Sequence, residues 1–218
     1  MGDPGRAAML CALLGGAELP AGELAGRAGV AANAASAHLA KLVAGGLLQV
    51  RASGRQRFFR LAGENVGRAV EALAVIAPPA KIVALTQSRI SNELRAARTC
   101  YDHLAGRLGV AVTTELVRRR ILTPGRGIDY DVTADGETFF ASLALNLASV
   151  RNLRRHFARQ CVDWSERRPH LAGALGAALC DAFLARGWVA RAPSSRALRI
   201  TPAGRSWLLK RLDLSLVQ

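Results

Sequence analysis

The chain has 218 residues, half of them apolar, with 30 Lys and Arg against 16 Asp and Glu for a formal net charge of +14. That length and apolar content exclude a largely disordered chain, and no run approaches the ~18 apolar residues of a membrane span. Nothing at the start reads as a signal segment, so a cytoplasmic protein with no membrane partner is expected.

The four cysteines, Cys11, Cys100, Cys161 and Cys180, include no CxxC pair. In a chain this size they do not read as a disulfide framework, and reduced or ligand-binding thiols are expected. Dividing the chain at "APPA" (77–80) leaves 8 basic and 5 acidic residues before Lys81, and 22 and 11 from there on. Both halves therefore attract polyanions, nucleic acid first among them. Only three of the cations are lysine, so codon usage accounts for part of the arginine excess.

From Gly5, "RAAMLCALLGG" has helical spacing and stops at Gly15-Gly16. "AGELAGRAGV", a turn at Gly29 and "AANAASAHLAKLVAGG" follow, the pattern of a helix-turn-helix. "LLQVRASGRQRFFRL" alternates on both sides of Ser53-Gly54, which predicts a hairpin and completes a winged helix.

The stretch "ELAGRAGVAANAASAHLAKLVAGGLLQVRASGRQRFFRL" resembles the DNA-binding core of the ArsR-type bacterial transcription regulators. The resemblance covers residues 6–78 and is most specific at Ser36-x-His38-Leu39-x-x-Leu42 running through Gly46-Leu47-Leu48 into a basic wing. It implies a homodimeric repressor on a two-fold double-stranded DNA operator, with the helix "GENVGRAVEALAVIA" (Val66, Val70, Leu73, Val75, Ile76) and the first helix at the dimer interface. Asn33 and Ser36 are the candidate base or phosphate donors, Lys41 a backbone contact, and Arg51, Arg55 and Arg57 phosphate or minor-groove contacts from the wing. His38 is a further candidate, although packing against the second helix explains it equally well. The bland reading makes Asn33 and Ser36 helix caps and the arginines solvated. The metal-ligand sets that ArsR-type sensors carry on the recognition-side helix or on the last core helix are missing here, so metal sensing does not follow from the resemblance.

Beyond residue 80 the chain repeats itself. With His103 laid over His170, eight of twenty positions in "HLAGRLGVAVTTELVRRRIL" and "HLAGALGAALCDAFLARGWV" are identical at a constant offset of 67. After a loop one residue longer, "YDVTADGETFF" pairs with "LRITPAGRSWL", sharing Thr-x-x-Gly at Thr133–Gly136 and Thr201–Gly204. Each unit reads as helix, strand, turn, strand and closing helix. The expected fold is mainly α with small β-hairpin wings: an N-terminal winged helix-turn-helix (1–80) and a C-terminal domain (81–218) of duplicated winged-helix-like units, about 100–147 and 161–213. Arg151, Arg154, Arg155 and Arg159 are spaced as one charged helix face, and Arg118–Arg120 form a second cluster; both read as solvated surface or extra phosphate contacts.

The repeat makes Cys100-Tyr101-Asp102-His103 the counterpart of Cys161-x-Asp163-Trp164 with His170, each at an expected helix start, where the aspartates would be caps. Three readings stay open. Cys100, His103, Cys161 and His170 are four ligands for a metal or metalloid ion, although the nine-residue gap from Cys161 to His170 fits no finger spacing. Alternatively these residues, with Tyr101, Asp102, Asp163 and Trp164, line a pocket for a small organic effector. In the third reading they are buried hydrogen-bonding corners, repeated because the fold is. The chain has no Gly-rich phosphate loop, HExxH or GxSxG, and Ser165 and Glu166 are too loosely placed for a hydrolase, so no catalytic residues and no enzyme are expected. The leading expectation is a transcriptional repressor whose C-terminal half senses an effector; the rival is a scaffold that uses tandem winged helices to hold proteins.

Overall fold

The computed structural model describes residues 2–77 and 92–215. The Pro78-Pro79 break and the expected boundary at residue 80 lie outside the described residues. The chain divides into two compact units, one built on residues up to Asn92 together with Pro193–Arg196, the other on Glu93–Ala192 and the chain from Ala197.

In the first unit, α1 (Pro4–Ala12) starts on Asp3, whose carboxylate accepts from the Arg6 amide at 2.9 Å. Helix α2 (Ala21–Ala28) ends on Gly29 in the left-handed region (φ 65°), which releases the chain into α3 (Ala32–Ala44). Strands β2 (Leu48–Ser53) and β3 (Gln56–Leu61) pair antiparallel from Leu48↔Leu61 to Ser53↔Gln56. Gly54 and Arg55 are therefore the hairpin turn, with Gly54 at φ 57°. A two-residue strand that sequence reading missed, β1 (Leu19–Pro20), adds on the far side of β3. Helix α4 (Glu64–Ile76) closes the unit. Met9, Leu10, Leu13, Leu14, Leu24, Leu39, Leu42, Leu48 and Phe59 form its buried centre. Arg196 donates to the Leu14 carbonyl and pairs with the buried Glu71 carboxylate at 2.6 Å.

The second unit is the duplication in three dimensions. Its first half comprises β4 (Arg98–Cys100), β5 (His103–Ala105), α5 (Gly106–Arg118), β6 (Leu122–Pro124), β7 (Tyr130–Val132) and α6 (Ala134–Ser142). After the short α7 (Leu147–Arg151) the order recurs as β8 (Arg159–Val162), β9 (Pro169–Ala172), α8 (Gly173–Ala185), β10 (Val189–Arg191), β11 (Leu198–Ile200) and α9 (Pro202–Leu212). The halves exchange contacts. In the leading strands, Arg98 bridges Ala197 of the second wing while Arg159 bridges Asp129 of the first. The equivalent amides of Leu198 and Tyr130 bond the Ala97 and Ala158 carbonyls. One core runs through both halves, with Leu108, Leu116, Leu122, Phe140, Leu175, Phe183, Leu208 and Leu212 fully buried.

Two sequence expectations need correction. His103 and His170 do not open helices: both sit in strands, and the helices begin three residues later at Gly106 and Gly173. These glycines take φ of 70° and 81°, and a Cβ on them would lie 2.6 Å from the Arg95 and His156 carbonyl oxygens, so the backbone turns there and helix cannot extend back to the histidines. Nor do Arg151, Arg154, Arg155 and Arg159 share a helix face: α7 ends at Arg151, and Arg159 lies in β8. Arg151 instead pairs with Glu137 and covers the Phe157 ring, and Arg155 pairs with Asp102.

Candidate functional site

The first candidate surface is α3 with the wing. Ala35, Leu39 and Leu42 face the core, and Asn33, Ser36, Ala37, Ala40, Lys41 and Ala44 form the opposite, exposed face. With alanine between the polar groups, that face is smooth enough to enter a major groove. The Asn33 carboxamide oxygen accepts from the Ala34 amide, and the Ser36 hydroxyl donates back to the Ala32 carbonyl, so both hold local bonds while exposed. His38, half-buried, has its Nε2 3.7 Å from the Asp3 carboxylate at the start of α1. Arg51 is held by Glu18 at 2.7 Å and lies over the Phe58 ring, whereas Arg55 and Arg57 are exposed at the hairpin end.

The second candidate lies within the C-terminal unit. In the β4–β5 hairpin Cys100 is directly opposite His103, and in the β8–β9 hairpin Cys161 is directly opposite His170. The first hairpin turns on Tyr101 at φ 61°, and the second carries a loop of six residues, 163–168, between Val162 and Pro169. Cross-strand pairing explains why the two sequence gaps differ: opposite partners are neighbours whatever the loop length. Strands β5 and β9 approach each other, and the ligand atoms of Cys100, His103, Cys161 and His170 all lie within 4.8 Å of one another. Cys100, His103 and His170 are buried, and Cys161 is half-buried.

Two helix glycines permit this approach. A Cβ on Gly109 of α5 would meet the Leu104 carbonyl oxygen at 2.4 Å and the His170 Cβ at 3.6 Å. One on Gly176 of α8 would meet the Leu171 carbonyl oxygen at 2.5 Å and the His103 Cβ at 3.3 Å. Each helix thus backs its own strand and the other half's histidine. The Thr113 hydroxyl of α5 accepts from the Leu171 amide of β9 at 2.8 Å, tying the halves together beside the cluster.

Carboxylates stand behind both imidazoles. His103 Nδ1 is 3.0 Å from Asp102, which Arg155 holds from its other oxygen at 2.6 Å. Among the described residues His170 Nδ1 has no hydrogen-bond partner, and it is 3.6 Å from Asp163 Oδ2. The two Nε2 atoms face each other at 3.1 Å. Asp163 is fully buried: its Oδ1 accepts from the Arg98 guanidinium at 2.8 Å, from the Ser165 amide and hydroxyl and from the Glu166 amide, and its Oδ2 accepts from the Gly106 amide at 2.7 Å. It therefore caps the helix of the other half, α5, rather than the one following it in sequence, and the exposed Asp102 caps no helix. Trp164 lies under the buried Arg98, 4.7 Å from guanidinium carbon to ring centre.

The electrostatics follow from these contacts. Hydrogen bonding to Cys161 and burial push the Cys100 thiol up to about 12. For His103, burial disfavours the charged form, but the bonds to Asp102 and Cys100 outweigh it and the net shift is upward. The His103 bond, with Arg155, holds Asp102 well below the usual carboxylate range. Burial would raise Asp163, yet the Arg98 charge and the donated hydrogen bonds hold it low as well. Arg98, Arg155 and Thr113 are the participants that sequence reading missed. Nothing distinguished Arg98 among thirty cations.

The N-terminal unit, a helix-turn-helix with a three-stranded wing, defines a winged-helix DNA-binding protein. Residues 1–51 match the helix-turn-helix domain family. The whole chain is 43% identical over 216 residues to the HTH-type transcriptional regulator YdfF of Bacillus subtilis, covering 99% of this chain and 95% of that protein. The chain belongs to the same family, the helix-turn-helix transcriptional regulators. Two solved structures are similar over about a third of the chain. Reduced HlyU of Vibrio cholerae is 33% identical, with 36% of this chain and 82% of that one covered at a TM-score of 0.33. The homodimeric winged helix-turn-helix domain Mb0332 of Mycobacterium bovis is 32% identical, with 34% and 68% covered at a TM-score of 0.31. No helix among the described residues is long and apolar enough to cross a membrane.

Proposed function

We propose that this regulator is a homodimeric repressor whose operator affinity is set by an effector bound in the C-terminal unit. The observation that carries the reading is the buried convergence of two thiols and two imidazoles, with carboxylates behind them, beside the apolar core of the unit. Burying polar groups in this way costs stability that aliphatic side chains would not, which favours a binding role over mere packing. On the N-terminal side, Asn33, Ser36 and Lys41 meet base edges and phosphates in a major groove, and Arg55 and Arg57 meet the flanking backbone. The exposed Leu73 and Ile76 of α4, the latter 78% exposed, support a dimer through that helix, as the resemblance implies. A two-fold dimer sets two recognition helices about one DNA turn apart.

An effector changes DNA affinity only if it binds the operator-competent and operator-released conformations differently, and such couplings run to about 5–150-fold. The test is fluorescence anisotropy on the protein's own promoter, with transcription measured in parallel. Lys41→Ala and Arg55→Ala should each weaken operator binding, and deletion of the gene should raise transcription. Unchanged affinity in both variants removes the DNA-face assignment, and lowered transcription on deletion removes the repressor role.

A further inference from the structure

The four cluster residues are more specific than an effector pocket in general. Each half supplies one cysteine and one histidine from directly opposed strand positions, so the duplication builds a four-donor cage from two copies of a two-donor hairpin. The histidine tautomers then narrow what the cage holds. Asp102, an acceptor only, fixes the proton of neutral His103 on Nδ1 and leaves its Nε2 lone pair as an acceptor that the Cys100 thiol also reaches. That lone pair faces His170 Nε2 at 3.1 Å. If His170 carries its proton on Nδ1, toward Asp163, two acceptor lone pairs confront each other. If it carries the proton on Nε2, its Nδ1 lone pair confronts the Asp163 carboxylate at 3.6 Å. Both arrangements bury a mismatch, and a cation between the rings removes it. A proton serves the two rings alone, whereas a metal ion takes all four groups.

We propose that Cys100, His103, Cys161 and His170 form a closed tetrahedral site for a divalent ion of the zinc class, shared equally by the two halves of the C-terminal unit. Tetrahedral S2N2 donor sets suit such ions, with bonds of about 2.3 Å to sulfur and 2.0–2.1 Å to nitrogen, so neighbouring donors sit roughly 3.3–3.8 Å apart. The Nε2 pair stands a little inside that range, and the cluster as a whole closes by about 1 Å on binding. Two thiolates balance the ion's charge, so the loaded site is neutral and suits burial; each thiol gives up its proton to solvent as it ligates. Asp102 is the outer carboxylate that orients the His103 ring, and Asp163 stands 3.6 Å behind His170 Nδ1.

For its regulatory consequence, though not for its chemistry, this site rests on the proposed effector reading. The experiment uses the reduced, full-length protein titrated with Co2+ and then Zn2+ under anaerobic conditions, read by visible absorption, metal content and operator anisotropy on the same samples. One ion per chain is expected, with the d–d and sulfur charge-transfer bands of tetrahedral S2N2 cobalt, displaced by zinc. Cys161→Ser, at the least buried ligand, should weaken cobalt binding and cut the sulfur bands by half or more, and Asp102→Asn should weaken zinc about 10–100-fold while keeping them. Circular dichroism of both variants separates loss of ligand from loss of fold. If the wild-type protein stays colourless with cobalt, or takes up metal equally well as Cys161→Ser, the metal site is overturned and the effector reading passes to an organic ligand. If the bands appear and operator affinity is the same with and without zinc, the site stands as structural and the effector reading falls.

Discussion

Arg98 and Asp163 form a buried ion pair in the C-terminal unit. Their side chains are 1% and 0% exposed, and Asp163 also satisfies amides at Gly106, Ser165 and Glu166. Removing one member of such a pair leaves an uncompensated buried charge, so Asp163→Ala should cost about 3–5 kcal/mol in urea unfolding, and the double change Arg98→Met, Asp163→Leu should cost clearly less than Asp163→Ala alone. Glu115 gives a pH signature. Hydrogen bonds from Arg118 and then Arg119 lower its carboxyl to about 2. A depressed acid contributes stability above its unfolded pKa, about 4.3, and loses it as pH falls through the folded value. The stability lost by wild type between pH 5 and 2 should therefore exceed that lost by Glu115→Gln, by about 1 kcal/mol because Arg118 is largely exposed.

At the scale of elements, the repeat was legible as a pattern before its purpose was. Thr-x-x-Gly marks the start of α6 and α9: Thr133 and Thr201 accept from the Gly136 and Gly204 amides, each at 3.0 Å. A Cβ at these glycines would lie 2.2 Å from the Ile121 oxygen and 2.0 Å from the Trp188 oxygen, so helix and wing pack backbone to backbone. Gly204→Ala should accordingly destabilise by about 3 kcal/mol, read as a lower melting temperature. Gly26→Ala in α2, where nothing lies within 4 Å, should be neutral or stabilising by about 0.5–1 kcal/mol. The hairpins holding the cluster were illegible for a physical reason. "HLA" is three residues long, too short to show alternation, and Leu and Ala suit helix as well as strand. What gives the strands away is the glycine after each of them, whose positive φ forbids a helix running back to the histidine. The recognition helix and the wing hairpin were legible because 13 helical residues and two strands of 6 residues give a period to read, whereas the two-residue β1 offers none.

For the whole molecule, charge rather than shape separates a DNA-binding regulator from a scaffold for protein partners. The formal charge of +14 is spread over both halves, but many of its arginines are already engaged: Arg27 with Glu23, Arg51 with Glu18, Arg118 and Arg119 with Glu115, Arg151 with Glu137, Arg155 with Asp102 and Arg98 with Asp163. Net charge thus overstates the number of phosphates the protein neutralises, and the salt dependence of binding counts them directly. Each contact contributes a slope of about −0.9 in log K against log salt. If α3 and the wing supply the interface, Arg55→Ala and Arg57→Ala should each reduce the slope by about one and weaken operator and random duplexes alike, since phosphate contacts carry no sequence information. Asn33→Ala should act the other way, costing about 1–3 kcal/mol on the operator with little change on random DNA or in slope. Arg51, which must first leave Glu18, should contribute less than either hairpin-end arginine. A slope near zero for the wild-type protein, measured by anisotropy from 50 to 200 mM salt, would show that the basic surface serves something other than a phosphate backbone.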